Sequence, residues 1–273
     1  MSAGHGMRIE RLLVVTFCAF AIAACANGGS PQPAATPLYD PAALPSGPVG
    51  AQIALGHDLI EHTRAKMPQY VTARMNCSAC HVNAGTVARG GTLAGVYAEF
   101  PQWNKRAHRV IALQDRIAQC FLYSMNGRPP AYDSKEMIAM VSYISWISRG
   151  TPVLAAADPQ AGFRLPEPSA SPDVANGATI YAAKCASCHQ ANGNGIALAV
   201  PPLWGPDSFN AGAGMHRIGD MAGFVRYNMP QNAPGSLTPG QSFDVAAYVL
   251  SHARPAFAKS RAVAFPSQPA SFF

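Results

Sequence analysis

An all-α chain built as two successive units of similar plan is what the sequence predicts, and three observations lead there. A five-residue run, Cys77-Ser78-Ala79-Cys80-His81, returns as Cys185-Ala186-Ser187-Cys188-His189. Each run follows a stretch of helical pattern and precedes a loop region that gives way to an amphipathic helix. Between the units lies Thr151 to Pro172, rich in Pro and Ala, which reads as an interdomain linker over residues 151–172. A mature chain of about 250 residues suits two units of about a hundred each.

The elements follow in order. Arg8 and Arg11 precede an apolar run from Leu12 to Ala23, too short to remain as a bilayer-spanning helix and followed by small residues. Ile22-Ala23-Ala24-Cys25 resembles a bacterial lipoprotein cleavage box. Residues 1–25 are therefore read as a lipoprotein-type signal peptide, with Cys25 as the lipidated N-terminus and ordinary cleavage near Ala24 as the alternative. The expected location is the periplasm, with a lipid anchor in the membrane. Residues 26–48, rich in Pro, Gly, Ala and Ser, read as a flexible tether.

The first unit, residues 49–150, is expected to hold a helix from about Val49 to Lys66 and another from Leu113 to Ser124. A third helix starts with Asp133 as cap and Glu136 three residues on; Met137, Met140, Val141, Ile144 and Ile147 keep one apolar face. The second unit, residues 173–273, repeats the plan more compactly. A helix runs from Asp173 into Cys185, a long Gly/Pro/Asn loop region follows the motif, and a last helix begins at Thr238 with Pro239 and Gln241 behind it. Val245, Tyr248, Val249 and His252 line one side of that helix, and the tail from Ala253 to Phe273 suits either disorder or packing across the first unit.

Two cysteines at C-x-x-C spacing can add to the two vinyl groups of a haem, and the adjacent histidine can turn its imidazole onto the iron. Cys77, Cys80 and His81, then Cys185, Cys188 and His189, are thus read as attaching two covalently bound haem c groups. Helix, attachment motif, loop, helix is the order of small class I cytochromes c, so the expected fold is two class I cytochrome c-like domains.

Charge and cysteine usage narrow the function. The chain carries 20 Lys and Arg against 14 Asp and Glu, and residues 1–25 contribute two Arg and one Glu, which leaves a mature balance of +5. Four haem propionates would cancel most of it, so no basic field for nucleic acid is indicated, and membrane contact is expected only through the lipid. Of 7 cysteines, Cys18 lies in the signal, Cys25 takes lipid and four take haem, which leaves Cys120.

The sixth iron ligand decides what each haem does, because the axial pair sets the potential. In the second unit Met229, in Asn228-Met229-Pro230 and 40 residues after His189, is the candidate. Met215, Met221 and His216 are its alternatives. The same measure in the first unit lands on Cys120, 39 residues after His81, with Met125 and His108 as alternatives and a buried core thiol as the plain reading. A thiolate would lower that potential below its neighbour's and would itself be a nucleophile. Arg116 lies four residues before Cys120, on the same helix face, and Lys105, Arg106 and Arg109 cluster upstream. Forked guanidinium donors suit small oxyanions and stabilise a thiolate, so Arg106 and Arg116 are read as anion-binding, while Arg109 and Arg128 suit haem propionates as well.

Taken together, Cys77 to Thr86, Phe100-Pro101-Gln102, Arg106, Arg109-Val110, Arg116-Ile117, Cys120 and Ser124-Met125-Asn126-Gly127 resemble the dihaem thiosulfate dehydrogenase/tetrathionate reductase cytochromes. The resemblance continues through Met140, Tyr143, Trp146, Pro202 to Asn210 and Asn228-Met229-Pro230. It implies an enzyme that couples two thiosulfates into tetrathionate, or runs the reverse, and passes electrons through the second haem to an external acceptor such as a small cytochrome c. It implies His81/Cys120 ligation at the first haem, sulfur oxyanions held by Arg106 and Arg116, and histidine with lysine or methionine at the second. Asn228 stands where the lysine would be, so His189/Met229 is expected. Two other classes compete: a non-catalytic dihaem electron carrier, and a Cys-ligated sulfur-oxidation cytochrome that acts on a carrier protein.

Overall fold

The computed structural model describes Met1, residues 38–154 and residues 162–257. The signal peptide with Cys25, the tether as far as residue 37, residues 155–161 of the linker and the tail beyond residue 257 lie outside the described residues. Contacts divide the chain into Met1–Thr36 and Pro37–Phe273, and every element below belongs to the second unit. The described residues are mainly helical, and among them no helix is long and apolar enough to cross a membrane.

The first half opens with residues expected in the tether but folded onto the domain: Asp40 caps a short turn at Pro41–Ala43, and Tyr39 stacks on His57 at 4.1 Å. Helix α1 (Pro48–Glu61) starts on a proline and breaks at His62, and a single turn α2 (Thr63–Lys66) follows. That break has a use. The buried Thr63 hydroxyl accepts the Cys77 N–H at 3.0 Å, and the Asn76 side chain accepts the Arg64 N–H at 2.9 Å, so the first C-x-x-C-H run is pinned to the start of α2. The short α3 (Val82–Gly85) is distorted by left-handed Asn83 and Ala84.

An antiparallel hairpin comes next, β1 (Gln102–Asn104) against β2 (Arg109–Ile111), in the register Trp103 to Val110. Helix α4 (Leu113–Tyr123) follows directly, with Asp115 accepting the Ala112 N–H at its start. Helix α5 (Lys135–Ile147) is capped by Ser134, whose hydroxyl accepts the Met137 N–H, and not by Asp133 as expected. Ser134 has the extended backbone that a cap requires and sits three residues before that N–H.

In the second half α6 (Val174–Lys184) lies where a helix was expected and is capped by Asp173, and the second motif forms a turn, α7 (Ala186–His189). The expected loop region contains a helix, α8 (Ile218–Asn228), which ends where Met229 begins. Helix α9 (Pro239–Ser251) has the predicted capping box of Thr238 and Gln241, with His252 just past its end. Helix α1 packs on α5, and α6 and α8 pack on α9. The described part of the linker is held down too: Leu165 N–H donates to the Gly219 carbonyl, and Phe163 meets Phe224 edge-on.

Candidate functional site

The two histidines of the motifs share one arrangement. His81 Nδ1 lies 2.5 Å from the Gly91 carbonyl and His189 Nδ1 lies 3.0 Å from the Pro201 carbonyl. A carbonyl only accepts, so Nδ1 carries the proton in both rings and Nε2 is left with its lone pair for a metal. Gly91 is needed for that approach, since at φ +65° a Cβ there would collide with the Cys80 carbonyl.

Around the second motif lies a cavity of about 570 Å³, lined by Cys185, Cys188, His189, Met215, Met221 and Met229 among largely apolar neighbours, and Ala79 and Cys80 of the first motif line it as well. All three candidate methionines therefore border the cavity, and His216 does not. Behind the wall formed by Leu203, Phe209 and Val249, Arg254 stacks 4.3 Å over Phe209 and donates to the Leu203 and Val249 carbonyls. Its buried Nε has no acceptor among the described residues. A large apolar slot bounded by two thiols, an imidazole with a free Nε2 and thioethers fits a haem.

The first motif meets α4. Cys77, Cys80, His81 and Cys120 lie close enough to interact, and their sulfurs differ in chemistry. Burial pushes Cys77 and Cys80 up to about 12. Burial works the same way on Cys120, yet the Arg116 guanidinium and the His81 ring outweigh it and bring that thiol down to about 7. The Arg116 NH1 donates to Cys120 Sγ at 3.2 Å, the one-turn spacing expected of them. Burial also pushes Cys185 up, to about 11.

Arg106 arrives by a different route. It occupies the tip of the hairpin, where Asn104 Oδ1 accepts the N–H groups of Arg106 and Ala107 and the Asn104 amide also reaches Gln119 on α4. Its guanidinium rests 3.9 Å over the Tyr123 ring and donates to the Gly212 carbonyl at 2.9 Å, and makes no hydrogen bond to Cys120. Cys120 thus sits on α4 between Arg116, one turn before it, and the Tyr123–Arg106 pair, three residues after it. One guanidinium bonds the sulfur from its own helix, and a second, carried by the hairpin, rests on Tyr123 at that helix's end.

Arg109 and Arg128 are engaged elsewhere. Arg109, read from the sequence as a propionate or anion ligand, instead grips the buried Asp115 with both NH groups at 3.2 and 2.8 Å, and Tyr132 donates to the same carboxylate. Arg128 donates to the Gln69 carbonyl. Of the alternatives to Cys120, His108 is exposed at the hairpin tip and Met125 is buried in the core. Sequence reasoning missed Asn104, Gln119 and Asn210; the Asn-Lys-Arg-Ala run after β1 carries an Asx-turn signal that points to the first of them.

Residues 69–153 match the family of SoxA/TsdA cytochrome c domains, and residues 174–253 match cytochrome c. A thiosulfate dehydrogenase of Allochromatium vinosum is 39% identical over 248 residues, 87% of this chain and 91% of that protein. One from Stutzerimonas stutzeri is 39% identical over 78% of this chain and 70% of its own length. The solved thiosulfate dehydrogenase (TsdBA) of Marichromatium purpuratum, as isolated, superposes with a TM-score of 0.76 at 35% identity over 85% of this chain, which spans 53% of that longer one. Two cytochrome c domains carry two covalently bound haem c groups. By its sequence, its fold and its paired domains, this chain belongs to the thiosulfate dehydrogenase family.

Proposed function

We propose that this protein oxidises two thiosulfate ions to one tetrathionate at the Cys120 site, or reduces tetrathionate by the reverse reaction. The observation that carries this reading is the sulfur of Cys120 held as a thiolate-prone group beside Arg116, with a second guanidinium, that of Arg106 from the hairpin, stacked on Tyr123 at the end of the same helix.

The haem of the first domain would be attached by Cys77 and Cys80 and held by His81 and Cys120, that of the second by Cys185, Cys188, His189 and Met229. When bound, the haems supply the oxidant, one electron each. The work of the chain is electrostatic. Two dianions repel one another, and in a partly dry site that repulsion grows, so fixed cations must be in place before they meet. Arg116 is placed by α4 against the Cys120 sulfur, and Arg106 is oriented by the Tyr123 ring and the Gly212 carbonyl.

The Cys120 thiolate bonds the outer sulfur of the first thiosulfate, and two electrons leave as that S–S bond forms. The outer sulfur of the second thiosulfate then attacks the sulfur bound to Cys120. The bond to Cys120 breaks, the Cys120 thiolate is regenerated and tetrathionate departs. Charge and atoms close: two thiosulfates yield one tetrathionate and two electrons, with no proton consumed.

The electrons pass to an external acceptor such as a small cytochrome c. The mature protein lies in the periplasm, anchored by lipid at Cys25, with a first domain over 49–150 and a second over 173–273. The purified holoprotein should reduce ferricyanide when thiosulfate alone is added, and Cys120→Ala should stop it. Substantial thiosulfate-dependent turnover by Cys120→Ala would remove the mechanism.

A further inference from the structure

We propose that Asn210, in the second domain, is a positioning residue for the thiosulfate site of the first; the proposal rests on the function assigned above. Helix α4, which carries both Arg116 and Cys120, ends inside the protein. Its Cys120 and Phe121 carbonyls are satisfied locally, by the N–H groups of Ser124, Met125 and Gly127. The chain then turns back through left-handed Asn126, and the next two carbonyls, of Leu122 and Tyr123, face the other domain. A buried helix end needs donors for those groups.

Asn210 supplies them. It is fully buried; its Nδ2 donates to the Leu122 carbonyl at 2.8 Å and to Asn126 Oδ1 at 3.3 Å, and its backbone N–H donates to the Tyr123 carbonyl at 3.3 Å. The other end of the same amide holds the anion-binding side chain. Asn210 Oδ1 accepts the Gly212 N–H at 2.9 Å, and the Gly212 carbonyl accepts Arg106 NH1 at 2.9 Å. Gly212 can sit there only without a side chain, because a Cβ would come within 2.8 Å of Phe257 and 2.9 Å of Tyr123.

One amide therefore closes a ring of contacts: the end of α4, Asn210, Gly212, Arg106, and back to α4 through the face of Tyr123. Donor and acceptor are both used, which suits asparagine and neither aspartate nor leucine. Without that side chain the Gly212 carbonyl loses its anchor, and Arg106 keeps only the Tyr123 ring to orient it. The last turn of α4, with Cys120 on it, loosens at the same time. Asn210 touches no reacting atom; it acts by holding Arg106 and Cys120 in mutual register.

The full-length holoprotein tests this through wild type, Asn210→Ala, Arg106→Ala and the double variant, with ferricyanide as acceptor, and through paramagnetic resonance of the oxidised proteins. Asn210→Ala should raise the thiosulfate KM about tenfold with a smaller change in kcat, since the loss is in anchoring an anion ligand. The double variant should show no higher KM than Arg106→Ala alone, because both changes cut one chain of contacts. The thiolate-ligated iron signal should shift or broaden in Asn210→Ala while the histidine–methionine signal stays put. A KM within twofold of wild type, effects of the two substitutions that multiply, or an unchanged thiolate signal each overturn the proposal. If Asn210→Ala does not accumulate, Gly212→Ala decides: it should raise KM by displacing the Arg106 acceptor, and an unaltered KM overturns the proposal equally. A wild-type protein inert to thiosulfate would sink the assigned function instead, and the resonance signals would still judge Asn210.

Discussion

Cys120 shows how much a neighbouring side chain changes a thiol. Four of the described cysteines are half-buried residues whose thiols feel a desolvation penalty, yet only where Arg116 and His81 adjoin the sulfur is that penalty reversed. Arg116 is largely exposed, so its removal should cost little stability but much chemistry. Arg116→Ala is expected to lower kcat/KM for thiosulfate by about a hundredfold while leaving the unfolding midpoint nearly unchanged, as read by steady-state kinetics and thermal unfolding. Arg109 should behave the opposite way. Its fork neutralises a carboxylate that is almost wholly inside, so Arg109→Ala should destabilise the protein by about 2 kcal/mol in denaturant unfolding and leave the haem spectra alone. The sequence showed that both arginines stand near Cys120. It did not show that one of them would be spent on Asp115, because that pairing depends on where β2 delivers Arg109 at the start of α4.

Helix packing repeats between the halves through one device. Gly56 on α1 lets the Ala139 carbonyl and Tyr143 of α5 come close, and Gly177 on α6 does the same for the Asp244 carbonyl and Tyr248 of α9. In each case a Cβ would strike backbone, and it would come within 2.7 Å of Tyr143 Cβ or 3.0 Å of Tyr248 Cβ, so the helices would have to move apart. Gly56→Val and Gly177→Val are each expected to cost about 3 kcal/mol or more, measured by denaturant unfolding of the holoprotein. A loss below about 1 kcal/mol would mean the crossing is looser than it looks. The cap at Thr238 could be read from the chain because a cap is a local signal. Helix α8 could not. Its glycines dilute the apolar pattern, and they are there for the linker: a Cβ on Gly223 would hit the Phe163 carbonyl, and one on Gly219 would lie 2.7 Å from the Leu165 carbonyl. A helix shaped by what crosses it looks like a loop when that partner is far away in sequence. The hairpin was missed for a related reason, since three-residue strands carry too little alternation to be seen.

At the scale of the molecule, both domains are joined by contacts of unequal weight. Arg74 pairs with Asp207 at 2.7 Å and reaches the Asn194 carbonyl, but both side chains of the pair are partly open to water, so the pair is worth at most about 1 kcal/mol. Asn228 is different. It is buried at the end of α8, next to Met229, and its Nδ2 donates to the Arg89 carbonyl at 2.8 Å across the domains. Two residues on from Arg89, the Gly91 carbonyl orients His81, and the Gly90 carbonyl accepts the Val82 N–H beside that histidine. The segment that steers one histidine is thus tied to the segment that presents Met229. Asparagine at this position supplies the donor that closes this link. In Asn228→Ala the Arg89 carbonyl loses that donor, at a cost of about 1–3 kcal/mol. Since the segments that carry His81 and Met229 then both relax, the reduction potentials of both haems should move together in a spectroelectrochemical titration. Arg74→Ala should lower stability slightly and move neither. If only the second-domain potential responds to Asn228→Ala, the link ends at Met229 and the two irons are tuned separately.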